Sequence, residues 1–160
     1  MIFVTVGAQM SFDRLVGWVD DWAVKEDRDD VVAQIGPSEY VPRRLRVVPF
    51  MTPPEFRARL ESADVIVAHA GMGSIISALE LAKPIVVVPR HGARKETRND
   101  HQIATARRLE AERLVRVADS PEDLARHLAE LDSGMGDDIR IAPTAQGSLL
   151  GRLRDFAAAR

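Results

Sequence analysis

Six short apolar runs rich in β-branched residues alternate along the chain with stretches of helical spacing. The runs are Ile2–Val6, Asp30–Ile35, Leu45–Phe50, Val65–Ala68, Ile85–Val88 and Leu114–Val117. Between them, helical patterns run over Phe12–Lys25 with Ser11 as a candidate N-cap, and from Pro53-Pro54 after a Thr52 cap. Others follow Gly73, Asn99 and Ser120-Pro121-Glu122-Asp123, the last with Leu124, Leu128 and Leu131 on one face. Alternation of this kind predicts βαβ units, hence an α/β fold: a parallel sheet covered by helices on both faces, with right-handed crossovers. Ligands of such sheets bind beyond the carboxyl ends of the strands. Gly7, the turn at Gly71 and the loop at Arg90 each follow a strand, so all three belong to that edge.

The turn His69-Ala70-Gly71-Met72-Gly73-Ser74 joins an apolar strand to a helix. Glycines there allow close backbone approach, and the unpaired N–H groups of a first helical turn attract an anion such as phosphate. The strand Ile85–Val88 delivers a second polar loop to the same edge, which points to a nucleotide-linked ligand rather than a bare anion. Gly71-Met72-Gly73 lacks the third glycine of a dinucleotide fingerprint and lies mid-chain, which argues against a nicotinamide or flavin site.

Composition narrows the partners. At 160 residues, the chain is long enough for one domain with a real core. Its formal net charge of -2 gives no electrostatic reason to expect nucleic acid or an anionic membrane surface. The absence of cysteine excludes disulfides, thiolate catalysis and Cys-based zinc sites. The N-terminus lacks the basic leader of a signal peptide, and no apolar run is long enough to cross a bilayer. Work at a membrane would therefore need a partner to hold the chain there. Residues 1–131 read as one domain, 132–146 as a flexible link through Ser133-Gly134-Met135-Gly136, and 147–160 as an amphipathic helix carrying Leu149, Leu150, Leu153, Phe156 and Ala157.

Taken as a set, the turn His69–Ser74, the strand entry Lys83-Pro84, Val88-Pro89 and Asn99-Asp100-His101-Gln102 resemble the nucleotide-sugar-binding half of GT-B glycosyltransferases of the family 28 type. The opening Ile2–Gly7 with Phe12-Asp13-Arg14-Leu15 resembles the short members, which are soluble subunits of bipartite enzymes. The loop from Pro89 to Glu96 is most similar to the exopolysaccharide branch. The resemblance implies a Rossmann-like domain equivalent to the C-terminal half of a GT-B enzyme. It further implies metal-independent, inverting transfer of a hexose (glucosyl or glucuronosyl) from a UDP-sugar to a polyprenyl-diphosphate-linked saccharide. UDP-sugar is then a substrate and no cofactor is expected. The acceptor side falls to a membrane-associated partner subunit, which would place this chain in the cytoplasm at the inner membrane face. Whether the isolated chain forms a homodimer stays open. So does an essential docking role for the last helix.

The same resemblance distributes roles. His69 would donate to a donor phosphate or shape the turn, and is the catalytic candidate. Gly7, Gly71, Met72, Gly73 and Ser74 would surround the diphosphate, with Ser74 alternatively an N-cap. Gln102 would bind sugar hydroxyls, since an amide both donates and accepts. Asn99, Asp100 and His101 are sugar contacts or helix caps. Ser77 stands where many relatives carry a ribose-binding carboxylate, with Glu80 nearly a turn away. In the basic loop, Arg90, Arg94, Lys95 and Arg98 are either solvated or poised to pair with a diphosphate or a uronate. No residue is marked out as the general base. A different reading makes the chain a non-catalytic nucleotide-binding or scaffolding subunit that activates a partner. A UDP-sugar epimerase of related architecture is disfavoured by length.

Overall fold

A computed structural model describes residues 1–98, 100–134, 151, 153–155 and 158. In chain order, the elements are β1 (Ile2–Thr5), α1 (Asp13–Lys25), β2 (Val31–Gln34), β3 (Arg46–Val48), α2 (Pro53–Ser62) and β4 (Val65–His69). They continue with α3 (Met72–Glu80), β5 (Ile85–Val88), a 3₁₀ turn (Gly92–Arg94), α4 (His101–Ala111), β6 (Arg116–Val117) and α5 (Pro121–Asp132). The strands form one parallel sheet of order β3-β2-β1-β4-β5-β6. This is the Rossmann-like α/β order, and it reverses between β1 and β4. Register pairs Ile2 with Val31 on one side and with Val65 on the other, so β1 is the central strand.

Alternation along β1 sorts the core into two layers. Ile2, Val4 and Val6 face Leu15, Val16 and Val19 of α1 and Leu124 and Leu128 of α5. Phe3 faces the other layer, with Leu60 of α2, Ile75 and Leu79 of α3, and Leu109 of α4. The rings of Phe3 and Phe56 meet edge-on at 5.6 Å. Two helix starts read from sequence are built as expected. Thr52 and Glu55 form a reciprocal capping box, and the Ser120 hydroxyl accepts from the Asp123 N–H at 3.0 Å.

Helices do not cover the whole sheet. No helix joins β2 to β3, and Arg46 and Val47 on that edge strand are exposed. The segment leading into β3 is held instead by Asp20 of α1. Its fully buried carboxylate accepts the main-chain N–H of Arg43 at 3.0 Å and of Arg44 at 2.9 Å, and the Tyr40 hydroxyl at 3.3 Å. Burial disfavours the carboxylate, but these donors outweigh it and keep the Asp20 pKa below the usual range.

At the other end, the expected link and final helix fall mostly outside the described residues, Leu149, Leu150, Phe156 and Ala157 included. Of that helix, Leu153 is buried in the layer with α3, and Arg154 pairs with Glu80.

Asp20→Ala strands two main-chain donors and should lower stability by about 2–3 kcal/mol. Thermal melting is expected to drop by about 4–10 °C. The folded pKa of Asp20 lies below its unfolded value. Its contribution is therefore complete above about pH 4, and fades as pH falls through the folded value. Below that range, variant and wild type should converge, as acid-titration melts can check.

Candidate functional site

At the sheet's reversal point, the chain leaves β1 through Thr5-Val6-Gly7 and β4 through His69-Ala70-Gly71. The cleft beyond them has two lobes that share Gly7 and Ala8. One, of about 370 Å³, is lined by His69, Arg90, Glu96, Thr97 and Gln102. The other, of about 410 Å³, is lined by Gln34, Phe50, Met51, Pro53, Gly73, Ser74 and Ser77. Residues from the β1, β4 and β5 loops thus meet at the carboxyl edge, as read from sequence.

The His69 ring lies between two glycines. A Cβ on Gly71 would come within 2.2 Å of its Nε2, and one on Gly7 within 2.9 Å of its Cε1. Gly7 also has φ +79°, the left-handed region. Both glycines therefore make room for an imidazole, whereas the sequence reading had Gly71 making room for the ligand. Gly73 is the open one, since a Cβ there would meet nothing within 4 Å. Burial, and then the positive charge of Arg90, hold the His69 pKa down to about 4, against a weaker upward pull from the Thr5 main chain. The ring is neutral at pH 7, and its buried Nδ1 has no partner in good hydrogen-bond geometry among the described residues.

Helix α3 starts two residues earlier than its sequence pattern suggested. Gly71 is its N-cap and supplies no side-chain acceptor. Ser74 is buried in the first turn and is not the cap. The first-turn N–H groups are left without a side-chain cap where the helix meets the cleft. Met72 packs partly into the core beneath. Ser77 lines the second lobe one turn on from Gly73. Glu80 is turned to Arg57, 3.7 Å away, and to Arg154, so it does not replace the missing ribose carboxylate.

Arg90 is neither solvated nor free to reach an anion. It is 4% exposed. Its Nη1 donates to the carbonyls of Ser11 (2.7 Å) and Glu96 (3.0 Å), and its Nη2 to those of Val6 (2.8 Å) and Met10 (2.9 Å). Its guanidinium stacks on Phe12 at 4.5 Å. Ser11, read as a helix cap, gives its carbonyl to this cation, while α1 starts after Phe12 with no side-chain cap. Beside it, Arg14 grips Glu96 with two bonds of 2.7 and 2.8 Å and also donates to the Pro89 carbonyl. Although burial opposes ionisation of Glu96, Arg14 and the His91 N–H keep its pKa low.

On the far wall, the Gln102 side-chain oxygen accepts from the Arg90 N–H at 3.3 Å. Asp100 sits at the N-cap of α4, but its carboxylate accepts from the Gly92 N–H at 2.7 Å and so shapes the 3₁₀ turn. His101 begins α4 on an exposed position, outside both lobes. Asn99 lies outside the described residues. Arg94, Lys95 and Arg98 are exposed around the same loop.

Several lining residues escaped the sequence reading. Phe50, 58% exposed, was read as the end of a strand, yet β3 stops at Val48. With Met51 it gives apolar lining to the second lobe, which Ser77 also lines. An exposed aromatic beyond a short strand was the available signal. Gln34 bonds the Gly7 carbonyl at 3.1 Å and the Pro49 carbonyl at 3.2 Å, tying the ends of β1 and β3, and Thr5 donates to it at 2.7 Å. Nothing local marks that role.

Gly71→Ala should destabilise the fold by about 1–3 kcal/mol through the clash with His69. Gly73→Ala should leave stability within about 1 kcal/mol of wild type. Chemical denaturation separates the two. The folded pKa of His69 lies below the unfolded value of about 6.5, so the unfolded chain takes up its proton first. Stability should fall as pH drops from about 6.5 towards about 4, and His69→Gln should flatten that part of the stability–pH curve.

Comparison with known proteins agrees with this architecture. The family model "Glycosyltransferase family 28 C-terminal domain" matches residues 1–137. The chain is 34% identical over 120 residues to UDP-N-acetylglucosamine transferase subunit ALG13 of Mus musculus, and 31% over 121 residues to that of Homo sapiens. Each match covers 69% of this chain but 10% of the relative, so the chain spans about a tenth of their length. Among solved structures, the solution structure of ALG13 superposes with TM-score 0.63 at 18% identity, covering 95% of this chain and 93% of that one. MurG of Acinetobacter baumannii gives 0.62 at 18% identity, with 96% of this chain on 49% of that enzyme. The glycosyltransferase of kitacinnamycin gives 0.62 at 24% identity, with 99% on 39%. These likenesses establish the fold as that of the C-terminal half of GT-B glycosyltransferases. With the matched residues spanning the whole sheet and both lobes of the cleft, the chain belongs to the glycosyltransferase family 28 C-terminal-domain family.

Proposed function

We propose that this chain is the donor-binding catalytic subunit of a bipartite inverting glycosyltransferase. It would move a hexose from a UDP-sugar to a polyprenyl-diphosphate-linked saccharide in exopolysaccharide synthesis. The observation that carries the reading is the first turn of α3, capped by a glycine and opening on a cleft whose other lobe holds Gln102. A diphosphate seated there accepts the N–H groups of Met72, Gly73 and Ser74. The Phe50–Met51 wall suits a nucleobase, Ser77 the ribose and Gln102 the sugar hydroxyls. As the bond to the sugar breaks, charge grows on the leaving UDP, and fixed amide donors with the helix dipole stabilise it without a metal. Neutral His69 contributes a hydrogen bond rather than a second charge. The names of the ALG13 relatives, and of a structural neighbour described as UDP-GlcNAc 2-epimerase bound to UDP-GlcNAc, support a UDP-linked sugar as ligand class.

The acceptor and the general base are assigned to a membrane-associated partner, which would hold this chain at the inner membrane face. No helix among the described residues is long and apolar enough to cross a membrane. Exposed Arg94, Lys95 and Arg98 at the loop favour an anionic sugar, which makes UDP-glucuronate the first donor to try and UDP-glucose its comparator. The scaffolding alternative keeps one specific support: Ser77, which binds a ribose more weakly than a carboxylate does.

Calorimetry should show UDP binding to the wild-type chain. Gly73→Ala, neutral for the fold, should weaken it about tenfold or more by filling the approach to the first turn. Gln102→Ala should keep UDP affinity but lose transfer in the presence of the partner. Retained transfer by Gln102→Ala would count against its sugar-binding role. Binding of UDP without any transfer by the reconstituted pair would favour the scaffolding alternative. Equal turnover of UDP-glucose and UDP-glucuronate would end the uronate assignment.

A further inference from the structure

We propose that Arg90 is a positioning residue of the donor cleft. Its guanidinium holds the β1–α1 loop against the β5–α4 loop and so sets the distance between the walls that receive the ligand. The inference rests on reading the cleft as the donor site.

The β1–α1 loop has little to hold it otherwise. Ala8, Gln9, Met10 and Ser11 are all exposed. Gly7 is tied to Gln34 and Thr5, but beyond it the loop's carbonyls at Met10 and Ser11 go to one side chain, Arg90. The same guanidinium takes the Glu96 carbonyl from the opposite loop and the Val6 carbonyl at the end of β1. Four acceptors, two on each terminal nitrogen, match the fork of an arginine. A lysine ammonium, with three donors on one atom, cannot reproduce that geometry. The main-chain N–H of Arg90 also meets Gln102, so the residue touches both loops and the far wall.

The neighbouring Arg14–Glu96 pair does not duplicate this bracing. It anchors the β5–α4 loop to α1 and leaves the Met10 and Ser11 carbonyls untouched. Around His69, the neighbours are Gly7 and Gly71, Arg90 is the cation acting on the ring, and Glu96 lines the same lobe while bonded to Arg14. The charge of Arg90 can therefore be followed at His69, separately from its hydrogen bonds.

Arg90→Lys and Arg90→Met in the full chain test the proposal by three measurements. These are amide hydrogen exchange, UDP calorimetry and NMR titration of the histidine rings, with His69 assigned by its loss in His69→Gln. Both variants should exchange about tenfold faster at residues 7–11 and 91–97 than wild type, with the β1 and β4 amides unchanged, and bind UDP about tenfold more weakly. Arg90→Lys keeps the charge, so His69 should still titrate near its wild-type value. Arg90→Met removes it, and the His69 titration should move up. Wild-type loop exchange and UDP affinity in both variants would overturn the proposal, as would exchange that rises uniformly through the sheet. If the wild-type chain fails to bind UDP, the donor reading falls. The bracing role is then decided by loop exchange and the His69 titration, neither of which needs a ligand.

Discussion

A buried guanidinium with no carboxylate of its own organises the working edge of this domain. Arg90 sits at the carboxyl end of β5 and is satisfied by four main-chain carbonyls drawn from two loops and the end of β1. Burying a cation is costly unless its donors are matched. Here the matching is done by main chain, so the loops must take the shape that supplies it. Arg14 and Glu96 form a bidentate pair, are themselves nearly buried at 12% and 13% exposure, and lock the second loop to α1. The two interactions share Phe12, against which both guanidiniums stack.

That bracing gives the cleft its chemistry. The same cation that holds the loops helps keep His69 neutral, so the turn itself offers a neutral ring and uncapped helix amides rather than an imidazolium. Such a surface suits a leaving group whose charge grows during reaction, because fixed dipoles need no reorganisation when it develops. Gly7 and Gly71 serve the ring, Gly73 leaves the approach clear, and three glycines that look alike in sequence thus have two different reasons to be there.

Much of this was legible beforehand, and the misses share a cause. The strands, their parallel arrangement, the Thr52 and Ser120 caps and the gathering of Gly7, the Gly71 turn and the Arg90 loop on one edge all follow from periodicity, turn chemistry and chain direction. Ser11 and Ser74 were natural cap candidates by position, but one surrendered its carbonyl to Arg90 and the other fell inside the helix. Arg90, in a basic loop, read either as a solvated cation or as a partner for a diphosphate or uronate, and nothing nearby in sequence shows four carbonyls waiting for it. Phe50 read as the end of a strand because it follows valines, yet the strand stops two residues earlier.

Patterns of that kind act over a few residues to a dozen, which is why the α/β architecture, the helix starts at Thr52 and Ser120 and the location of the cleft could be read directly from the chain. The partners that finish the site lie far apart along it: 82 residues separate Arg14 from Glu96, and 84 separate Val6 from Arg90. Which donor meets which acceptor over such separations depends on strand order and on how the loops close beyond the sheet. Only the folded chain decides that, and with it whether a cation faces a ligand or holds the walls around one.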